Sequence, residues 1–189
     1  MTHIRDKVQV NERVSVFTIS DLSRKSLKPV VSLCRPPQEG SRLTENVKLI
    51  HKKFLERFEK PMREALATVP TGAKESPIAQ ALTDISLSRY LRGQRNSLLV
   101  YSDMLEHTAK FSLYRCLTPA DAIQRYRESR RGAQERPKFK NTMVSLNLVP
   151  RLEQSREALK CRDQLWAWFF GNNEGDSASL SLDYLPGGT

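Results

Sequence analysis

An alternating segment near the start of the chain constrains its fold more than any other feature. In residues 7–16, apolar and polar side chains alternate with a period of two, and the apolar set is Val8, Val10, Val14 and Val16. Because successive side chains on a strand point to opposite faces, this segment predicts a half-buried β-strand. Two alternatives stay open: the strand continues through Ile19, or residues 11–12 turn a hairpin.

The polar face of this strand carries Lys7, Gln9, Asn11 and Arg13. Gln, Asn and Arg are the side chains best able to make paired hydrogen bonds to base edges in the major groove, and two strands side by side fit that groove. We therefore predict that Gln9, Asn11 and Arg13 read bases, with Lys7 beside them. The alternative is an edge strand whose polar face meets only water.

The chain is strongly basic, with 31 Lys and Arg against 21 Asp and Glu and a formal net charge of +10. This balance favours a polyanionic partner, most simply nucleic acid, and predicts binding that weakens with salt. The longest apolar runs fall far short of the ~20 residues that span a bilayer, and residues 1–6 lack the apolar core of a signal peptide. We expect a cytoplasmic protein with no membrane partner.

Residues 41–60 carry the clearest helical pattern. Apolar residues recur at intervals of three or four and build one stripe, formed by Leu43, Val47, Ile50, Phe54 and Phe58. Ser41 or Thr44 is expected to cap this helix, and Pro61 to kink or end it. Similar reasoning predicts helices over residues 21–28, 78–91, 96–117, 119–132 and 151–170, and leaves open a short strand at 142–146.

A segment with Pro, Gly and Ser over residues 70–77 divides the sequence. We expect a DNA-binding module in residues 1–69, a helical domain in residues 70–171, and a disordered tail rich in Gly, Ser and Asp in residues 172–189. The expected fold class is mainly α, with a short N-terminal β-strand.

The order of elements in residues 7–60 resembles the ribbon-helix-helix DNA-binding proteins: a polar-faced strand, a short helix, a loop ending in Gly40, and a long amphipathic helix. The resemblance implies a homodimer whose paired strands lie in the major groove of double-stranded DNA. It also implies that Ser41, Arg42 and Thr44, at the start of the second helix, hold the phosphate backbone. A helix N-terminus suits this role because its free N–H groups concentrate positive potential.

A ribbon-helix-helix module joined to a larger helical body also resembles the conjugation regulators carried on large plasmids. This resemblance implies a sequence-specific transcriptional regulator that activates plasmid transfer genes. The helical body would then stabilise the dimer or contact other transcription regulators.

A second basic feature occupies residues 125–140, where seven Lys or Arg face only two Glu. The patch residues are Arg125, Arg127, Arg130, Arg131, Lys138 and Lys140. Tyr126 and Phe139 lie among them and could stack on bases, as in single-strand binders. The alternative function is thus a sequence-tolerant nucleic-acid-binding accessory protein, with the N-terminal strand merely structural. A solvated helix end is the simpler structural interpretation.

An aromatic cluster near the end of the last predicted helix contains Trp166, Trp168, Phe169 and Phe170. Side chains this dense are expected in the core. A dimer interface or a docking surface for a partner protein is the alternative, and the latter would make the chain an interaction adaptor.

No enzymatic or metal-binding signature is present in the sequence. Cys34, Cys116 and Cys161 are far apart without a Cys-x-x-Cys pair, so we expect three buried or half-buried thiols and neither a disulfide framework nor a zinc site. The sequence also lacks a Gly-rich phosphate loop and the common hydrolase motifs. We predict that the protein is not an enzyme, has no catalytic residues and uses no cofactor or metal.

Overall fold

The computed structural model describes residues 8–19, 29–37, 46–67, 74–150, 155–171 and 179–184. These ranges contain five β-strands and four α-helices, in the order β1 (Arg13–Val16), β2 (Val31–Cys34), α1 (Val47–Ala67), α2 (Ile78–Leu87), β3 (Asn96–Ser102), α3 (Pro119–Ser129), β4 (Thr142–Leu148), α4 (Arg156–Phe170) and β5 (Ser179–Tyr184). The chain divides into two compact units, residues 1–20 with 24–73 and residues 21–23 with 74–189.

In the first unit, β1 and β2 form a two-stranded antiparallel sheet. The hydroxyl oxygens of Ser15 and Ser32 lie 2.8 Å apart across the two strands. Helix α1 packs against this sheet through a small apolar cluster in which Val31, Phe58 and Met62 are buried. Burial of these side chains holds a sheet that two short strands alone could not stabilise in water.

The chain turns at residues 9–12, before β1 begins. The Glu12 amide donates to the Gln9 carbonyl over 3.1 Å, and Asn11 adopts a left-handed backbone with φ of 66°, which Asn tolerates better than most residues. The prediction of one strand over residues 7–16 is therefore wrong, because only residues 13–16 of the described part are strand. The turn at residues 11–12 is present, but the strand that pairs with β1 is β2.

Helix α1 begins where Asn46 accepts a backbone hydrogen bond. The Asn46 Oδ1 lies 3.1 Å from the Leu49 amide nitrogen and satisfies one of the free N–H groups at a helix start. Pro61 lies inside the helix, so it does not end it. The predicted caps Ser41 and Thr44, and the helix predicted over residues 21–28, lie outside the described residues.

The second unit is built on a parallel sheet with the strand order β3-β4-β5. Helix α3 follows β3 and helix α4 follows β4, as the crossover connections of parallel neighbours require. The two helices pack together, since the rings of Tyr126 and Phe169 lie 6.0 Å apart. Both residues belong to one core cluster with Val144 and Leu146 of β4.

This parallel sheet overturns the expected fold class: the chain is an α/β protein, not a mainly α one with a single strand and an appended helical domain. The helix expected over residues 96–117 is wrong, because β3 occupies residues 96–102 and a loop with a short 3-10 helix, Leu113–Arg115, follows. A short apolar run such as residues 98–101 suits a buried parallel strand as well as a buried helix.

Strand β5 lies inside the segment that was expected to be disordered. Its sequence, Ser-Leu-Ser-Leu-Asp-Tyr, alternates apolar and polar residues, and it pairs with β4 from Ser179 opposite Met143 to Tyr184 opposite Leu148. The expectation of disorder is therefore wrong for residues 179–184. The period-two pattern is the signal that could have found this strand.

Local signals elsewhere located the elements correctly. The Thr118 hydroxyl accepts a hydrogen bond from the Asp121 amide at the start of α3, with Pro119 as the first helical residue. Helix α4 ends at Phe170, before Gly171. Strand β4, over Thr142–Leu148, contains the short strand that is one alternative for residues 142–146.

The aromatic cluster of α4 belongs to the core of the second unit. Trp166, Phe169 and Phe170 are buried, and the Trp166 indole N–H donates to the Met104 carbonyl over 2.7 Å. The expectation that this cluster is core is confirmed for these three side chains. Trp168 is partly buried against the same core.

Two of the cysteines are not thiols. Cys116 and Cys161 form a disulfide between Cα atoms 6.4 Å apart, while Cys34 is a free, exposed cysteine. The expectation of three buried or half-buried thiols is wrong. Cys116 and Cys161 are separated by 45 positions in the sequence, which gives no spacing signal, because the packing of α4 brings the two sulfur atoms together.

Candidate nucleic-acid interface

The residues predicted to read bases do not share one strand. Gln9 and Asn11 are exposed in the turn before β1, whereas Arg13 is exposed at the first position of β1 and lies opposite Cys34 of the same chain. The amide of Asn11 donates to the Arg35 carbonyl over 2.9 Å, which ties the turn to the end of β2. The continuous polar face that motivated the base-reading hypothesis is therefore broken.

The other residues of that hypothesis cannot be placed. Lys7, Ser41, Arg42 and Thr44 lie outside the described residues. Their predicted contacts with DNA stay predictions, as do those of Gln9, Asn11 and Arg13.

Several cations of residues 125–140 hold the protein's own structure together. The Arg130 guanidinium donates to Gln80 Oε1 over 2.5 Å and to the Gln134 carbonyl over 2.9 Å. The Arg127 Nε lies 3.0 Å from Glu135 Oε2. Because these groups already have partners at the end of α3, Arg130 and Arg127 are less suited to a ligand than the sequence pattern suggested.

Arg125 and Arg131 are exposed, and each lines a surface cavity. One cavity, of about 310 Å³, is lined by Lys74, Glu75, His107, Lys110, Arg115 and Arg125, among others. A second, of about 470 Å³, is lined by Lys110, Arg125, Glu128, Ser129 and Arg131. We call the surface formed by Lys74, Lys110, Arg115, Arg125 and Arg131 the basic cleft. The two cavities share Lys110 and Arg125, so the basic cleft is one continuous cationic surface.

A tight turn presents Lys110 to the basic cleft. The Thr108 amide donates to the Phe111 carbonyl over 2.7 Å, and His107 on the near side of the turn forms bridges with both Ser76 and Ser112. Phe111 is buried and anchors the turn in the core. Lys110, at the tip, remains exposed.

The carboxylates of the basic cleft are engaged with the protein. Glu75 Oε1 accepts from the Ala109 amide over 3.0 Å, and Glu128 Oε1 accepts from the Gln124 amide group over 3.1 Å. The Arg125 NH1 lies 3.9 Å from Asp121 Oδ2, in an exposed pair of the kind that contributes little. Within the described part of the chain, the side chains of Lys110 and Arg131 make no hydrogen bond or ion pair, so the cationic potential of the basic cleft is not neutralised at these two positions.

The aromatic residues within the basic segment are not available for stacking. Tyr126 and Phe139 are buried; Tyr126 donates its hydroxyl to the Glu135 carbonyl over 2.9 Å, and Phe139 stacks on Phe170 in the core. The interpretation of these two rings as base-stacking groups is therefore wrong. Lys138 and Lys140 are exposed on the loop that leads into β4 and line neither cavity.

A different aromatic side chain stands beside the basic cleft. Tyr114 is 41% exposed, and its ring meets the ring of His107 edge-to-face at 5.5 Å. His107 lines the cavity of about 310 Å³. Tyr114 lines neither cavity, but its contact with His107 places it next to the rim of the basic cleft. Nothing in the sequence connects Tyr114 with residues 125–140, because the sequence pattern predicts a helix over residues 96–117.

Glu106 is a buried carboxylate close to the same region. Its Oε2 accepts from the Ala79 amide over 2.8 Å at the start of α2. Burial raises the pKa of Glu106 to about 7, although hydrogen bonds from the amides of Ala79 and Ile78 and the charge of Arg130 act in the opposite direction. Glu106 thus fixes the start of α2, a role that spacing along the sequence did not reveal.

The described residues hold no group of three or more His, Cys, Asp or Glu arranged to bind a metal ion. Nor do they include a helix whose length and apolar content would let it cross a lipid bilayer. Comparisons with protein-family models, with curated proteins and with solved structures find no match to this chain.

Proposed function

We propose that this protein binds the phosphate backbone of nucleic acid without a strong sequence preference, and that the basic cleft is the binding surface. One observation carries the proposal: two adjoining cavities share Lys110 and Arg125 and are lined further by Lys74, Arg115 and Arg131. Lys and Arg side chains supply the sequence-independent part of nucleic-acid affinity by neutralising phosphates and releasing counterions.

The arrangement of the cations supports an extended polyanion over a single small anion. The five cations come from three separate segments of the chain, at residues 74, 110–115 and 125–131, and they line a surface of two cavities instead of converging on one point. Among the described residues, the carboxylates that line the two cavities are Glu75 and Glu128, and both accept hydrogen bonds from the protein. Asp121 lies 3.9 Å from Arg125 in an exposed pair that contributes little. The net charge of +10 adds a long-range attraction for polyanions.

Sequence-specific reading of double-stranded DNA by a homodimer stays a prediction that these observations do not favour. Because β1 already pairs with β2 of its own chain, a ribbon between two copies would have to form on the opposite edge of β1. Regulation of plasmid transfer genes and contacts with other transcription regulators rest on the same hypothesis.

The experiment that tests the proposal is an equilibrium titration of a fluorescently labelled random-sequence oligonucleotide with the full chain at fixed salt. The double variant Lys110→Ala/Arg125→Ala removes the two cations that both cavities share. We expect it to weaken binding to every sequence by a similar factor, about tenfold or more.

The matched control is Arg95→Ala/Lys160→Ala, which removes two exposed cations of the same unit that line neither cavity. This control is expected to bind within about twofold of the wild type, since it changes the net charge equally but leaves the basic cleft intact. Equal losses in the two double variants would show that net charge alone drives binding and would overturn the assignment of the basic cleft.

A further inference from the structure

The feature that extends this proposal is the fixed position of Tyr114 at the rim of the basic cleft. Tyr114 is the middle residue of the 3-10 helix Leu113–Arg115. Its neighbour on one side, Leu113, is completely buried, and its neighbour on the other side, Arg115, lines the cleft. Tyr114 is therefore a partly exposed ring between a core anchor and a phosphate-binding candidate.

The chain on both sides of Tyr114 is held in place. The Leu113 amide donates to the Glu106 carbonyl over 3.0 Å, and Cys116, two residues after Tyr114, is tied to α4 by the disulfide with Cys161. These contacts hold the backbone, and the edge-to-face contact with His107 orients the Tyr114 ring. A ring that is oriented before binding loses little conformational entropy when a ligand stacks on it. The geometry thus provides a preorganised aromatic surface beside a row of cations.

This combination is the one that single-stranded nucleic acids exploit. Binding proteins for single strands pair a cationic groove that follows the backbone with aromatic side chains on which bases stack, and the stacking tolerates any sequence because every base has a π-face. In a duplex the bases stack on one another inside the helix, and a base must be unstacked and extruded before a protein ring can reach its face.

We propose that the basic cleft takes single-stranded nucleic acid in preference to duplex, with one unpaired base stacked on Tyr114 while Lys110, Arg115 and Arg125 contact neighbouring phosphates. This inference rests on the proposed function and adds the form of nucleic acid that is recognised. It assigns Tyr114 a binding role that does not depend on attraction between cations and phosphates.

The test compares a labelled single strand of about 16 nucleotides with the duplex of the same sequence, using the full chain at fixed salt. Three variants are measured beside the wild type: Tyr114→Ala removes the ring, Tyr114→Phe keeps it, and Leu117→Ala truncates a nearby apolar side chain that is 78% exposed. Near-ultraviolet circular dichroism confirms that each variant keeps its packed core.

We expect Tyr114→Ala to weaken single-strand binding by about 5- to 100-fold and to leave duplex binding and the salt dependence unchanged. Tyr114→Phe and Leu117→Ala are expected to stay within about twofold of the wild type. A strand of the same length that lacks all its bases cannot stack on Tyr114. We expect the wild type to bind this strand no more tightly than Tyr114→Ala binds the intact strand.

Two negative results are distinguishable. If the wild type binds single strand and duplex equally and Tyr114→Ala binds both as well as the wild type does, the preference for single strands is overturned while the proposed function stands. If the wild type binds neither form, the proposed function itself is overturned, and this inference with it.

Discussion

Phe111 packs edge-to-face against Tyr126, with ring centroids 5.5 Å apart. This contact joins the turn that carries Lys110 to the helix that carries Arg125, and it lies in the core of the second unit. The basic cleft therefore depends on a long-range apolar contact in the core, although the side chains that form the cleft are Lys and Arg.

Replacement of Phe111 by Ala should disturb both stability and binding. Phe111 is buried, and truncating a buried Phe costs about 3–5 kcal/mol in free energy of unfolding. Urea denaturation followed by tryptophan fluorescence measures this loss, because Trp166 and Trp168 lie on α4 of the same unit. Leu117→Ala, at an exposed position, should change the free energy of unfolding by less than about 0.5 kcal/mol, and a similar loss in both variants would contradict the assigned anchor role.

Arg130 and Arg131 are adjacent in sequence but should respond differently to replacement. Arg130→Ala leaves Gln80 and the Gln134 carbonyl without their donor, so we expect a loss of about 1–3 kcal/mol in free energy of unfolding. Arg131→Ala should leave the free energy of unfolding nearly unchanged and weaken nucleic-acid binding. Urea denaturation and the oligonucleotide titration separate the two effects, and a reversed pattern would contradict the division into structural and ligand-binding cations.

The buried carboxyl of Glu106 should make stability depend on pH. Burial raises its pKa from 4.5 to about 7, so between these two pH values the folded protein binds a proton that the unfolded chain has released. The stabilisation from the protonated form is complete below pH 4.5 and is lost as the pH rises through about 7. The free energy of unfolding should fall by roughly 3 kcal/mol over this range.

The variant Glu106→Gln isolates this effect, because glutamine keeps an oxygen acceptor for the Ala79 amide and cannot ionise. Urea denaturation of both proteins from about pH 5 to pH 8 should show a stability that falls with pH in the wild type and a flatter profile in the variant. Parallel profiles would mean that Glu106 does not carry the pH dependence.

The disulfide between Cys116 and Cys161 should contribute to the stability of the second unit. The cross-link joins residues 45 positions apart and lowers the entropy of the unfolded chain. In the loop-entropy treatment this raises the free energy of unfolding by about 4 kcal/mol. Thiol titration of the unfolded, unreduced chain should find only Cys34, and reduction should lower the urea midpoint. The double variant Cys116→Ala/Cys161→Ala should match the reduced protein, and a count of three thiols before reduction would contradict the disulfide.

Features set by neighbouring residues were predictable from the sequence, and features set by distant contacts were not. The start of α3 could be identified because Thr118, Pro119 and Asp121 act within one helical turn. Strand β3 is predicted wrongly as a helix, because its short apolar run does not distinguish a strand from a buried helix. Its pairing with β4, more than 40 residues later in the chain, decides its structure.

For the same reason, only part of the candidate site could be predicted from the sequence. Arg125 and Arg131 stand out in a basic segment, whereas Lys74, Lys110 and Arg115 join them only through folding. The predicted base-reading strand does not form, because the chain turns at Asn11 with a left-handed backbone and β1 pairs with β2.

The most direct test of the central claim is the dependence of oligonucleotide affinity on salt, measured for the wild type and for Lys110→Ala/Arg125→Ala. If the basic cleft neutralises phosphates of a single strand, the logarithm of the binding constant should fall linearly with the logarithm of salt concentration, and the double variant should lower the steepness by about 1.4. An unchanged slope in the variant, with affinity equal to that of the wild type, would contradict the assignment of nucleic-acid binding to this surface.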